Sequence, residues 1–128
     1  MKRQNISTGA KWEDIVGYSR AVRIGKTVEV SGTVSIKNGE TWGINDPYKQ
    51  TLRILEIIEE SLNHAGASIN DVIRTRIYVT DVKYWEEVAK AHQEVFGTIM
   101  PATSLIGIDK LISDECLVEI EASAVLSD

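Results

Sequence analysis

The stretch LVEIEASAV, residues 117–125, alternates apolar and polar positions and carries two glutamates one residue apart. In an extended chain successive side chains point to opposite faces. Val118, Ile120, Ala122 and Ala124 then share one side, and Leu117, Glu119, Glu121, Ser123 and Val125 share the other. The first side reads as a core face. The second carries two carboxylates and needs a purpose of its own.

Similar patterns lie upstream. RAVRIGKTVEVSGTV, residues 20–34, has β-branched runs on both sides of Gly25-Lys26 and predicts a hairpin with arms Arg20 to Ile24 and Thr27 to Val34. A short turn follows at Lys37 to Glu40. Asp46 before Pro47 predicts a helix start, and Gly66 stands where a glycine would end that helix. Leu52, Leu55, Ile58, Leu62 and Ala65 fall near one face of it. DVIRTRIYVT, residues 71–80, alternates as a strand, with Ile73, Thr75, Ile77 and Val79 opposite Arg74, Arg76, Tyr78 and Thr80. Tyr84 to Phe96 carries a second helical stripe. Strands at Thr103 to Ile108 and Cys116 to Val125 close the chain.

The order ββ(β)αβαββ predicts an α+β fold in which two helices pack on one face of a single mixed sheet. The other face would then collect Glu29, Ser31, Thr33, Arg74, Arg76, Tyr78, Thr103, Glu119, Glu121 and Ser123, with Leu105, Leu117 and Val125 among them. Mixed charges with aliphatics suit a surface that meets another subunit. The plainer alternative is a solvated face on which Glu119 and Glu121 pair across strands with Arg74 and Arg76.

The chain of 128 residues is the size of one domain, taken as residues 1–128 with an N-terminal arm at 1–16. At that length folding can bury roughly two thirds of the chain's surface. Fourteen basic against 19 acidic residues give a formal charge of −5, which disfavours nucleic acid as a partner. The first residues contain no apolar segment that could serve as a signal or membrane span, and the one cysteine cannot form an internal disulfide. A cytoplasmic location without membrane contact is expected. His64 and His92 sit on different predicted helices and Cys116 in a strand, so no metal set is expected, and Cys116 reads as a small core residue. Trp85 is expected in the core. Trp12 and Trp42 fall in predicted loops that could rim a cleft.

GYSRAVRIGKTVEVSG (17–32), the long helix, DVIRTRIYVTDV (71–82), PATS (101–104) and VEIEASAV (118–125) together resemble the Rid family, the reactive intermediate deaminases also called YjgF proteins. The resemblance implies a chorismate-mutase-like fold. It implies a homotrimer whose sheet faces form a central barrel, with small-molecule clefts between subunits. It further implies cofactor-free hydrolysis of enamines and imines, such as 2-aminoacrylate and its tautomer, to 2-keto acids and ammonia. The family's catalytic tyrosine falls on Tyr18, its Ser-Gly pair on Ser31 and Gly32, and its closing glutamate on Glu119.

Two positions depart from the pattern. Thr103 replaces the arginine that clamps the substrate carboxylate, and Ala89 stands where many members carry asparagine. The chain resembles an arginine-lacking branch. Arg20 and then Arg76 are the cations that could take over ligand binding, unless Arg20 is an ordinary strand residue and Arg76 an ion-pair partner of Glu119 or Glu121.

Three functions remain in view. One is an imine or enamine hydrolase using Glu119, Tyr18 and Ser31, with Gly32, Thr103, Arg20 and Arg76 around the ligand. Another is a binding or regulatory trimer that kept the cleft and lost the chemistry. The third, endoribonuclease activity, is opposed by the acidic charge and the lack of a basic-aromatic patch.

Overall fold

The computed structural model describes residues 1–127. The elements run β1 (Arg3–Ile6), α1 (Lys11–Val16), β2 (Ala21–Ile24), β3 (Thr27–Val34), β4 (Ile36–Lys37), β5 (Glu40–Thr41), α2 (Pro47–His64), β6 (Val72–Val79), α3 (Trp85–Phe96), β7 (Ala102–Gly107) and β8 (Val118–Val125). Six strands form one mixed sheet in the order β1-β2-β3-β8-β6-β7, while β4 and β5 make a separate ribbon. Among the described residues only β6 and β7 run parallel. Their connection is the right length for a helical crossover, and α3 fills it.

The helices cover one face, as the order of elements predicts. Ile54, Leu55, Ile58 and Leu62 of α2 pack with Val28 and Val30 of β3 and with Val118, Ile120, Ala122 and Ala124 of β8 in one buried cluster. Asp46 caps α2 by accepting Lys49 N at 3.0 Å, ahead of Pro47 at the first helical position. At the other end Gly66, at φ +83°, takes the left-handed conformation that ends the helix. The buried Gln50 side chain ties the loop before β8 to this helix, donating to Glu115 O at 2.9 Å and accepting from Leu117 N at 2.9 Å.

The N-terminal segment is more ordered than an arm. Residues 3–6 pair antiparallel with β2 at the sheet edge, and Trp12 belongs to α1 where the sequence suggested a loop. Trp85, the first residue of α3, is 53 % exposed, so it is not the core residue its helical stripe suggested.

Two bulges alter the sidedness read from the sequence. Between Val30 and Thr33, β3 advances three residues while β8 advances two, from Ala122 to Ile120. The extra residue reverses the alternation. Thr33 therefore lies buried against the core beside Ile120, and Val34 joins Glu119 on the open face. In β6 the pairs Val72–Ala124 and Arg74–Ser123 leave Ile73 as the extra residue, exposed, while Val72 takes the core position. Thr103 and Leu105 also lie on the helix-covered face, not the open one. Thr103 bonds to the buried Thr75, and Leu105 lines a groove against α3.

Candidate functional site

The bulge in β3 builds one part of the site. Ser31 Oγ donates to Ser19 O at 2.7 Å, and Ser31 N donates to Arg20 O at 3.0 Å. Gly32 offers its carbonyl to Arg20 Nη2 at 2.6 Å. A Cβ at position 32 would stand 3.1 Å from Glu119 Oε2 and 3.2 Å from Oε1. The glycine thus gives the carboxylate its room.

Glu119 is half-buried. Burial raises its carboxyl above the ordinary range, the neighbouring charge of Glu121 raises it further, and Arg20 pulls it partly back. Arg20 feels the reciprocal field. Its burial lowers the guanidinium from its usual value, while Tyr18, Glu13 and Glu119 oppose that change. Arg20 Cζ sits 5.8 Å from the Tyr18 ring centre, and its Nε is buried without a hydrogen-bond partner among the described residues.

Tyr18 is placed by the short helix before it. Gly17, at φ +85°, closes α1 through a bond to Glu13 O at 2.8 Å, and Tyr18 N reaches the same carbonyl at 3.0 Å. The Glu13 side chain anchors that helix by accepting from Ser7 Oγ and from Thr8 N and Oγ1. Burial alone would raise the Glu13 carboxyl, yet the Thr8 and Ser7 hydrogen bonds outweigh it and hold it low. Tyr18 and Ser31 border a polar hollow of about 560 Å³.

The structure therefore gathers Tyr18, Arg20, Ser31, Gly32 and Glu119. Arg76 lies on the same open face but belongs to a different pairing. Its Nη1 is 3.9 Å from Glu121 Oε1, and Tyr78 Oη donates to that oxygen at 3.2 Å. Glu121 thus has structural partners, whereas Glu119 faces Gly32.

Thr103 is not with this group. Its hydroxyl lies on the other side of the sheet, 2.8 Å from Thr75 Oγ1, which in turn lies 2.9 Å from His92 Nε2. His92 and Thr103 line a groove of about 450 Å³ between α3 and β7, and the fully buried Thr75 joins them. The His92 ring packs against Phe96 with centres 4.6 Å apart, and burial pushes its imidazole below the ordinary 6.5. On sequence alone His92 is weighed only as a metal ligand and Thr75 only as a strand position, and neither is placed in a site. The usable signal was Thr75 itself, a hydroxyl at a core-facing strand position that must find a partner.

Cys116 is buried, and burial raises its thiol, which suits packing better than nucleophilic attack. Among the described residues no three His, Cys, Asp or Glu side chains come together as a metal-binding set, and no helix is long and apolar enough to cross a membrane.

The geometry can be set beside known proteins. A family model described as Endoribonuclease L-PSP matches residues 8–126. A solved structure from Mycobacterium tuberculosis, a member of the YjgF/YER057c/UK114 family, is 46% identical, with a TM-score of 0.90, and the match covers 98% of this chain and all of that one. A RutC family protein of Pyrococcus abyssi is 33% identical over 97% of this chain and 98% of its own. A 2-iminobutanoate/2-iminopropanoate deaminase of Dermatophagoides farinae is 29% identical over 94% of each chain. With a family match across nearly its whole length and the sheet and helices of the solved relative, this chain belongs to the Endoribonuclease L-PSP family, the YjgF or Rid proteins.

Proposed function

We propose that this protein hydrolyses imines or enamines to carbonyl compounds and ammonia, with Glu119 as the acid–base group. The observation that carries the reading is the half-buried Glu119 carboxyl, raised by burial and held against Gly32 beside Arg20. A carboxyl shifted toward neutrality can both accept and return a proton at working pH. The deaminase name of the mite relative supports the same chemistry.

In the first step Glu119 takes a proton from water as the water oxygen bonds to the imine carbon, and the imine nitrogen takes a proton from solvent. The product is a carbinolamine. Glu119 then returns its proton to the amine nitrogen, the C–N bond breaks to release ammonia, and the hydroxyl proton passes to solvent as the carbonyl forms. Tyr18 hydrogen-bonds the reacting group, Ser31 and Gly32 shape the pocket through the bulge, and Arg20 balances the charge on Glu119.

One chain supplies only part of a cleft, since Glu119 and Thr103 lie on opposite faces of the sheet. A homotrimer resolves this, with the open faces packed together and the α3/β7 groove of one subunit meeting the Glu119 group of the next. The open face is suited to such contact because Val34, Ile106 and Val125 lie among its charges. A cytoplasmic setting is part of this reading and is compatible with the single free, buried Cys116.

A second reading is a non-catalytic small-molecule-binding or regulatory trimer. It is favoured by Thr103 and Ala89, which stand where the chain's relatives in the resemblance carry a carboxylate clamp and an asparagine. Endoribonuclease activity remains the weakest reading, because a net charge of −5 opposes phosphate binding. Ammonia release from freshly generated imines, with and without a carboxylate, separates the first two. Turnover lost in Glu119→Gln supports the hydrolase; wild type no faster than the uncatalysed reaction on every imine overturns it.

A further inference from the structure

The groove between α3 and β7 is walled by Ile77, Val88, Phe96, Met100 and Leu105, and among the described residues no Lys, Arg, Asp or Glu lines it. Its polar side chains are His92, Gln93 and Thr103, and the fully buried Thr75 Oγ1 joins His92 Nε2 to Thr103 Oγ1 with gaps of 2.9 and 2.8 Å. The arginines of the open face lie outside this groove: Arg20 Nη2 donates to Gly32 O at 2.6 Å while its Nε has no partner among the described residues, and Arg76 stands 3.9 Å from Glu121.

We propose that this groove binds an uncharged ligand group, an aliphatic portion ending in a neutral carbonyl, amide or imine, so that the substrate carries no carboxylate at this end. The inference rests on the small-molecule cleft proposed above and names what that cleft selects.

The physical basis is desolvation. A carboxylate placed in an apolar groove without a cation loses hydration that nothing replaces. A neutral group loses less, and one hydrogen bond to Thr103 compensates it. Thr103 is free to serve because its remaining contact, Pro101 O at 3.3 Å, is long.

The His92, Thr75 and Thr103 chain also adapts to either polarity. With the proton on His92 Nε2, donation runs through Thr75 to Thr103, whose own proton is left for a ligand C=O or C=N. With Nε2 bare, Thr75 donates to His92, Thr103 donates to Thr75, and the Thr103 oxygen accepts a ligand N–H. The second arrangement needs a neutral imidazole, which the burial of His92 favours.

The test uses unreactive probes of one shape, isobutyramide and isobutyrate, titrated at pH 7.5 into the full-length protein while the His92 ring and Thr103 amide signals are followed by NMR. The expected result is binding of the amide at least roughly tenfold tighter than the carboxylate, a difference of about one well-made hydrogen bond. Thr103→Val, at an exposed position that tolerates the change, should weaken amide binding about tenfold, and Thr103→Arg should reverse the preference. Isobutyrate binding as tightly as isobutyramide overturns the proposal, as does the absence of any shift at His92 and Thr103 with either probe at saturating concentration. Because neither probe reacts, failure of the hydrolase reading shows as missing ammonia, whereas failure of this inference shows as missing selectivity.

Discussion

Gly32 and Glu119 face each other across the β3 bulge so closely that a methyl group at position 32 would touch the carboxylate, 3.1 Å from Oε2. The Gly32 backbone is not left-handed, so alanine meets only a steric obstacle there. Gly32→Ala should keep the fold, with a stability change of about 1 kcal/mol or less by urea denaturation. On the proposed hydrolase mechanism it should lower kcat about 100-fold, because displacing the proposed acid–base group by an ångström misaligns proton transfer.

Glu119→Gln separates chemistry from stability. The folded protein holds the Glu119 proton to higher pH than the unfolded chain, whose value is near 4.5. The stability gained from the protonated carboxyl is present below 4.5 and is lost as pH rises through the folded value. At neutral pH the glutamine variant should therefore melt at or above wild type, and its advantage should shrink as pH falls toward 4.5. Its turnover should drop on the order of 100-fold or more. Calorimetry across pH and an ammonia assay check the two halves.

Arg20→Gln removes the one charge that lowers the Glu119 carboxyl. The acid limb of the pH–rate profile should move to higher pH, reporting a further rise in the Glu119 pKa. A profile that scales down without moving would show that Arg20 acts only through its bond to Gly32 O.

Thr75→Val tests the buried polar chain from the stability side. Thr75 is fully buried and bridges His92 and Thr103, so its loss leaves the His92 ring nitrogen without a partner. The expected cost is about 1–3 kcal/mol in urea denaturation. Activity on the open face should fall less than in Gly32→Ala, since Thr75 lies on the other side of the sheet.

The long alternating and helical runs were legible because burial imposes a strict period on them. Val118, Ile120, Ala122 and Ala124 are all buried, and α2 begins and ends at its proline and glycine signals. The errors share a cause that periodicity cannot see. Thr33 was assigned to the open face because the alternation was carried unbroken through Ser31-Gly32, although a glycine inside a strand is itself a signal of a bulge. Thr103 was misplaced because the face of β7 depends on its parallel register with β6, Thr103 opposite Thr75, which no local pattern in β7 encodes. Of the proposed site, Tyr18, Ser31, Gly32 and Glu119 came from motif resemblance. The partnership of Arg20 with Gly32 and that of His92 with Thr75 needed coordinates, because each joins residues distant in sequence.

The β3 bulge also fixes how this strand can vary. Ahead of it the even-numbered positions, Val28 and Val30, are buried; beyond it the odd-numbered Thr33 is. A saturation scan through residues 27–34 should show a two-residue rhythm of tolerance that jumps phase at Ser31-Gly32. Deleting a single residue there would restore an unbroken rhythm with Thr33 still inward and Val34 still outward, so the core pattern would survive while the bulge that sets Gly32 against Glu119 is lost, and a length change of one would separate the site from the core.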